Sequence, residues 1–91
     1  MITVDSVVVL QPDIRYRVVD DEGVIVRQQM GEILVVNNVG ACFLRLVDGE
    51  RSIVKIANNI AELFEVDSKT LLDDLVDFAV SLEDAGVIAK V

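Results

Sequence analysis

The sequence predicts an α+β domain, a three-stranded antiparallel sheet followed by three helices. Two observations carry this: apolar and polar residues alternate in short runs up to about residue 36, and from Val39 onward the apolar residues recur every three or four positions. These are the side-chain periods of strands and helices respectively. A third is the placing of glycines and capping residues between the runs, which cuts each half into separate elements. A chain of 91 residues closes one core and has no length for a second, so residues 1–91 form a single domain.

Residues 1–12, MITVDSVVVLQP, hold a short apolar run that reads as an extra strand or an arm. Ile14, Tyr16 and Val18 then alternate with Arg15, Arg17 and Val19, which puts one set on each face of a strand. Asp20-Asp21-Glu22-Gly23 is the turn, Val24 to Gln28 the returning strand, and Gln29-Met30 a second turn ahead of Gly31. The third run of the meander, Glu32-Ile33-Leu34-Val35-Val36, is apolar on both faces, so both faces call for cover.

Asn37 or Asn38 stands where a side chain caps a helix, and Val39, Cys42, Phe43, Leu46 and Val47 form one helical stripe ended at Asp48-Gly49. On that stripe Cys42 behaves as a small hydrophobe. Ser52 caps the second helix, whose stripe is Ile53, Ile56, Ala57, Ile60, Ala61 and Phe64. Asp67 or Ser68 caps the third, with Leu71, Leu75, Phe78, Leu82 and Ala85 as its stripe and Gly86 as its stop. A second row, Leu72, Val76, Ala79 and Val80, widens that arc beyond what one neighbour needs. The tail Val87 to Val91 reads as extended.

Three strands leading into three helices make a winged helix-turn-helix-like arrangement. Nucleic acid is nevertheless an unfavourable ligand, because 16 acidic against 8 basic residues give a net charge of −8, and Asp73, Asp74, Asp77, Glu83 and Asp84 would face the phosphates from the third helix. The chain has no histidine; its cysteine and serines therefore lack the usual base, and no His/Cys cluster is available for a transition metal. An enzyme is not expected, nor a cofactor. No run approaches the roughly 18 apolar residues of a membrane span, and the start lacks the basic region of a secretion signal. One cysteine forms no internal disulfide, which suits a reducing, cytoplasmic location.

The order VVNNVGACFLRLVDGERSIVKIANNIAELFEVD followed by LLDDLVDFAVSLEDAGVI resembles the PqqD family, small leader-peptide-binding domains also called RiPP recognition elements. The matching features run from about Arg15 to Ile88: Val36-Asn37, Asp48-Gly49, Ser52-Ile53, Asp74-Leu75 with Phe78, and Leu82 with Gly86-Val87-Ile88. The departures are Cys42, where the family usually carries another residue, and the strand-like N-terminal segment.

The resemblance implies a non-catalytic peptide chaperone. Such a protein binds the leader of a ribosomally made precursor peptide and delivers it to a maturation enzyme, either a radical-SAM enzyme or a leader peptidase and cyclase of a lasso-peptide pathway. It further implies that the leader adds as a strand against Glu32, Ile33, Leu34, Val35 and Val36, and lies beside the third helix. The expected groove residues there are Leu72, Asp73, Asp74, Val76, Asp77 and Val80, with the acids attracting a basic leader. An open sheet edge is the usual acceptor for an extended peptide. The alternatives are a winged-helix regulator and an interaction module in which ITVDSVVVL pairs strands between chains; the expected state is a monomer or weak homodimer.

Overall fold

The computed structural model describes residues 1–91. Its elements run β1 (Val8–Leu10), β2 (Ile14–Val19), β3 (Glu22–Arg27), β4 (Glu32–Val36), α1 (Asn38–Leu46), α2 (Ile53–Phe64), α3 (Ser68–Asp84) and β5 (Ile88–Lys90). β2, β3 and β4 form an antiparallel sheet in that order, as the alternating runs predict. Ile25 sits at its centre, opposite Tyr16 on β2 and Leu34 on β4.

The first turn is shorter than the sequence suggests. Only Asp20 and Asp21 lie outside the strands, with Asp20 at φ 56°, a left-handed conformation that Asp tolerates better than most residues. Glu22 and Gly23 belong to β3 instead. Gly23 has a packing reason to be there, since a Cβ at that position would lie 2.8 Å from Val36 Cγ2 and 3.2 Å from Ala41 Cβ. Its missing side chain lets α1 and the end of β4 close over the sheet.

The helices cover one face of that sheet. Ile25, Phe43, Leu44, Ile53, Ile56, Ile60 and Leu75 are among the fully buried side chains, and Phe43 meets Phe78 edge to face, with ring centroids 5.6 Å apart at 77°. The expectation that both faces of β4 are covered is corrected: Ile33 and Val35 are 65% and 61% exposed, because no helix crosses the outer face. The α1 stripe is also corrected. Gly40, Ala41, Phe43 and Leu44 are its buried residues, whereas Cys42 is half-buried and lines a surface hollow with Arg45, Leu46 and Leu63. The helix lies between the sheet and α2, which rotates its buried arc away from Cys42.

Each helix begins on the residue type its sequence predicts. The Asn37 carboxamide oxygen accepts from the Gly40 N–H (2.9 Å), the Ser52 hydroxyl from the Lys55 N–H (3.3 Å) and the Asp67 carboxylate from the Thr70 N–H (3.1 Å). No helix is long and apolar enough to cross a membrane.

The two ends of the chain form a second, two-stranded sheet, with Val8 opposite Lys90 and Leu10 opposite Ile88. The other side of β1 is occupied as well: Gly49 donates to the Val8 carbonyl (3.1 Å), Ile53 donates to the Ser6 carbonyl (2.9 Å), and Val7 bridges to Ser52. The apolar N-terminal run is therefore paired within the chain.

Candidate functional site

β4 is an edge strand, and its register states which backbone groups are open. Gln28 donates its N–H to the Asp13 carbonyl (3.1 Å) at the base of the β2–β3 hairpin, and bonded and non-bonded pairs alternate along an antiparallel ladder. Val24 and Val26 thus direct their backbone groups at β2, and Gly23, Ile25 and Arg27 direct theirs at β4. Across β4 the bonded residues are Val36, Leu34 and Glu32. Ile33 and Val35 are left with N–H and C=O pointing away from the sheet.

The other open edge, on β2, is guarded. Arg15 and Arg17 stand exposed along it, the Ile14 N–H bonds to the Gln11 carbonyl (3.1 Å), and the Ile14 carbonyl accepts from the Arg15 guanidinium (2.9 Å). Charges of this kind discourage strand pairing. From Ile33 to Val36 β4 has none.

A cavity of about 250 Å³ opens at the C-terminal end of β4, lined by Asn37, Val39 and Gly40 from the start of α1 and by Leu71, Asp74, Leu75 and Phe78 from α3. Three elements converge on Gly40, where a Cβ would lie 2.9 Å from Val36 Cβ and 3.1 Å from Phe78 Cζ. A second hollow shares Val39, Leu71 and Asp74 and continues past Thr70 to Val66 and Asp67, so the groove follows the first half of α3. Its upper end is fixed by Asp67, whose carboxyl is held below its ordinary value first by the Thr70 hydroxyl and then by the Thr70 N–H. Asp74 carries the charge in the cavity itself and has no cationic partner: the ion pairs are Arg27–Glu32 at 2.8 Å and Arg51–Asp48 at 3.0 Å. The surface is apolar with one carboxylate and one carboxamide on its wall, suited to holding a side chain and its backbone. No three His, Cys, Asp or Glu side chains gather as a metal site.

The expected site residues divide. Glu32 is exposed and tied to Arg27, Leu34 and Val36 turn half-buried toward the helices, and Ile33 and Val35 point their side chains to the outer face. On α3, Asp74 lines the cavity, and Asp77 follows it by three residues on the same side. Leu72 and Val76 stand two positions either side of Asp74, about 160° around the helix, and are half-buried against the core. Exposed Asp73 and Val80 also lie outside the cavity lining. Sequence reasoning missed the lining residues Asn37, Val39, Gly40, Leu71, Leu75 and Phe78. Helical spacing places these as caps or core and carries no sign that two helices part at one end.

The family model described as coenzyme PQQ synthesis protein D (PqqD) matches residues 18–88. No curated protein sequence matches the chain. Among solved structures, TbiB1 in complex with the TbiA(beta) leader peptide is similar at 24% identity and TM-score 0.78, over 88% of this chain and 93% of that one. A lasso peptide synthetase B1 complexed with the leader peptide gives 21% identity and TM-score 0.78, over 90% and 96%. The solution NMR structure of the PqqD truncation of Methylobacterium extorquens PqqCD, described as a stand-alone RiPP recognition element, gives 18% identity and TM-score 0.83, over 98% and 95%.

Proposed function

The chain belongs to the PqqD family, and from that membership we propose that it is a non-catalytic carrier, binding the leader of a ribosomally made precursor peptide and delivering it to a maturation enzyme in the cytoplasm. The observation that carries the reading is the unguarded β4 edge, whose free backbone groups at Ile33 and Val35 run beside a cavity containing Asp74. An extended peptide bonds its main chain to such an edge and sets alternate side chains into the adjoining groove. Two structural neighbours are complexes with leader peptides, which supports a leader as the ligand. The enzyme served is a radical-SAM enzyme or a leader peptidase and cyclase.

Titration of a synthetic leader into the folded protein tests this. One-to-one binding is expected, lost in Val35→Pro and weakened in Asp74→Asn. Equal affinity for the wild type and a folded Val35→Pro variant would exclude strand addition at β4.

A further inference from the structure

The leader groove leaves one large feature unused, the outward face of the β2-β3-β4 sheet. Alternation and register place Arg15, Arg17 and Val19 of β2, Glu22, Val24 and Val26 of β3, and Ile33 and Val35 of β4 on that face. Val19, Ile33 and Val35 are at least half exposed. Five apolar side chains thus form one uncovered surface spanning all three strands. Its charge is opposite in sense to that of the molecule: two arginines and one acid lie on this face of a chain whose net charge is −8. Neither arginine has a carboxylate partner, since the chain's ion pairs involve Arg27 and Arg51.

We propose that this outward face docks the maturation enzyme through an apolar patch edged with carboxylates on that enzyme, and that the bound leader enlarges the surface the enzyme meets. The proposal rests on the leader-carrier reading above. Three strands at about 4.8 Å spacing and six residues at about 3.3 Å each cover roughly 14 by 20 Å, about a third of the ~800 Å² per partner in a stable complex. A leader strand bonded at Ile33 and Val35 adds a fourth row, half of whose side chains emerge on this same face, and brings it to roughly 19 by 20 Å, about half of that area, the remainder coming from the enzyme's contacts with the rest of the leader. The enzyme would then bind the loaded carrier more tightly than the empty one, which is positive coupling between leader and enzyme.

The test uses the full chain, the synthetic leader and the purified enzyme that modifies the same precursor. Two double variants alter the face without touching the groove: Arg15→Glu with Arg17→Glu, and Val24→Thr with Val26→Thr, the latter keeping β-branched residues in the central strand. Leader affinity is expected to stay at the wild-type value, while enzyme affinity falls by about tenfold or more, most strongly for the charge reversal. A photo-crosslinker at position 26 should join the enzyme to the leader-loaded carrier and capture less without leader. Enzyme affinity unchanged in both folded double variants overturns the proposal. So does a dimer in sedimentation that is lost in these variants and excludes the enzyme, because the occupant is then a second copy. If the wild type binds no leader at all, the carrier reading fails and the docking proposal with it; normal leader binding with an indifferent enzyme removes the docking proposal alone.

Discussion

Val35 separates two roles in one residue, since its backbone groups face the open edge while its side chain, 61% exposed, faces outward. A proline there removes an N–H that no group in the chain uses, and edge positions of that kind tolerate it. Val35→Pro should therefore stay folded and lose leader binding. One residue earlier, Leu34→Pro removes a ladder bond to Ile25 and should destabilise the sheet by about 1–3 kcal/mol. Thermal denaturation alongside a binding titration distinguishes the two. Asp48 and Asp67 make a second residue-scale prediction. Asp48 is held below its ordinary pKa first by the Arg51 N–H, then by the Glu50 N–H, with the Arg51 charge adding to it, and Asp67 by the Thr70 hydroxyl and N–H. A carboxylate depressed in the folded state stabilises fully above its unfolded value, near 3.8 for both, and that contribution is lost as pH falls through the lower folded value. Denaturation midpoints of Asp48→Asn and Asp67→Asn should accordingly drop less than wild type between about pH 5 and pH 2. Equal acid sensitivity in all three proteins would contradict the assignment.

Among the elements, the meeting of β4, α1 and α3 at Gly40 is the most sensitive to change. Gly40→Ala introduces a methyl 2.9 Å from Val36 Cβ and 3.1 Å from the Phe78 ring, and overpacking of this kind costs about 1–3 kcal/mol. Val36 and the ring must both give way to relieve it, so leader affinity should fall together with the melting temperature. A variant with wild-type stability and affinity would mean that the convergence is loose. The element boundaries were legible because local chemistry dictates them: Asn37, Ser52 and Asp67 each cap the helix their position announces. The cavity was not, because Phe78 sits on a regular stripe and only the gap between the start of α1 and α3 exposes it. Leu72 and Val76 fall outside the cavity lining for the complementary reason. A wide apolar arc says that a helix has two neighbours but not which flank is covered, and here their flank packs on the core.

For the whole molecule, charge and topology act together. Eight excess negative charges, with Asp73, Asp74 and Asp77 exposed along α3, should favour leaders carrying Lys or Arg and speed their association more than deepen their affinity. Raising ionic strength shortens the screening length from about 30 Å to about 8 Å, so the on-rate should fall while the lifetime of a backbone-bonded complex changes little. Asp74→Asn should blunt that dependence, and stopped-flow kinetics over a salt series would show it. The three-strand, three-helix order was legible from period alone, and so was the extended character of both chain ends, whereas the pairing of those ends was not. The two strands have three residues each and pair Val8 with Lys90 across nearly the whole chain, too distant for any local pattern to register the partnership. The same closure removes the N-terminal run as an edge for pairing between chains, and β4 is the unguarded edge of the three-stranded sheet. Amide hydrogen exchange, residue by residue, with and without a synthetic leader, tests that claim most directly. New protection is expected at Ile33 and Val35, with little change at Leu34 and Val36, whose amides are already bonded to β3. Protection that appears instead at Tyr16 and Val18 on the β2 edge, or none on β4 when the peptide is bound, would contradict it.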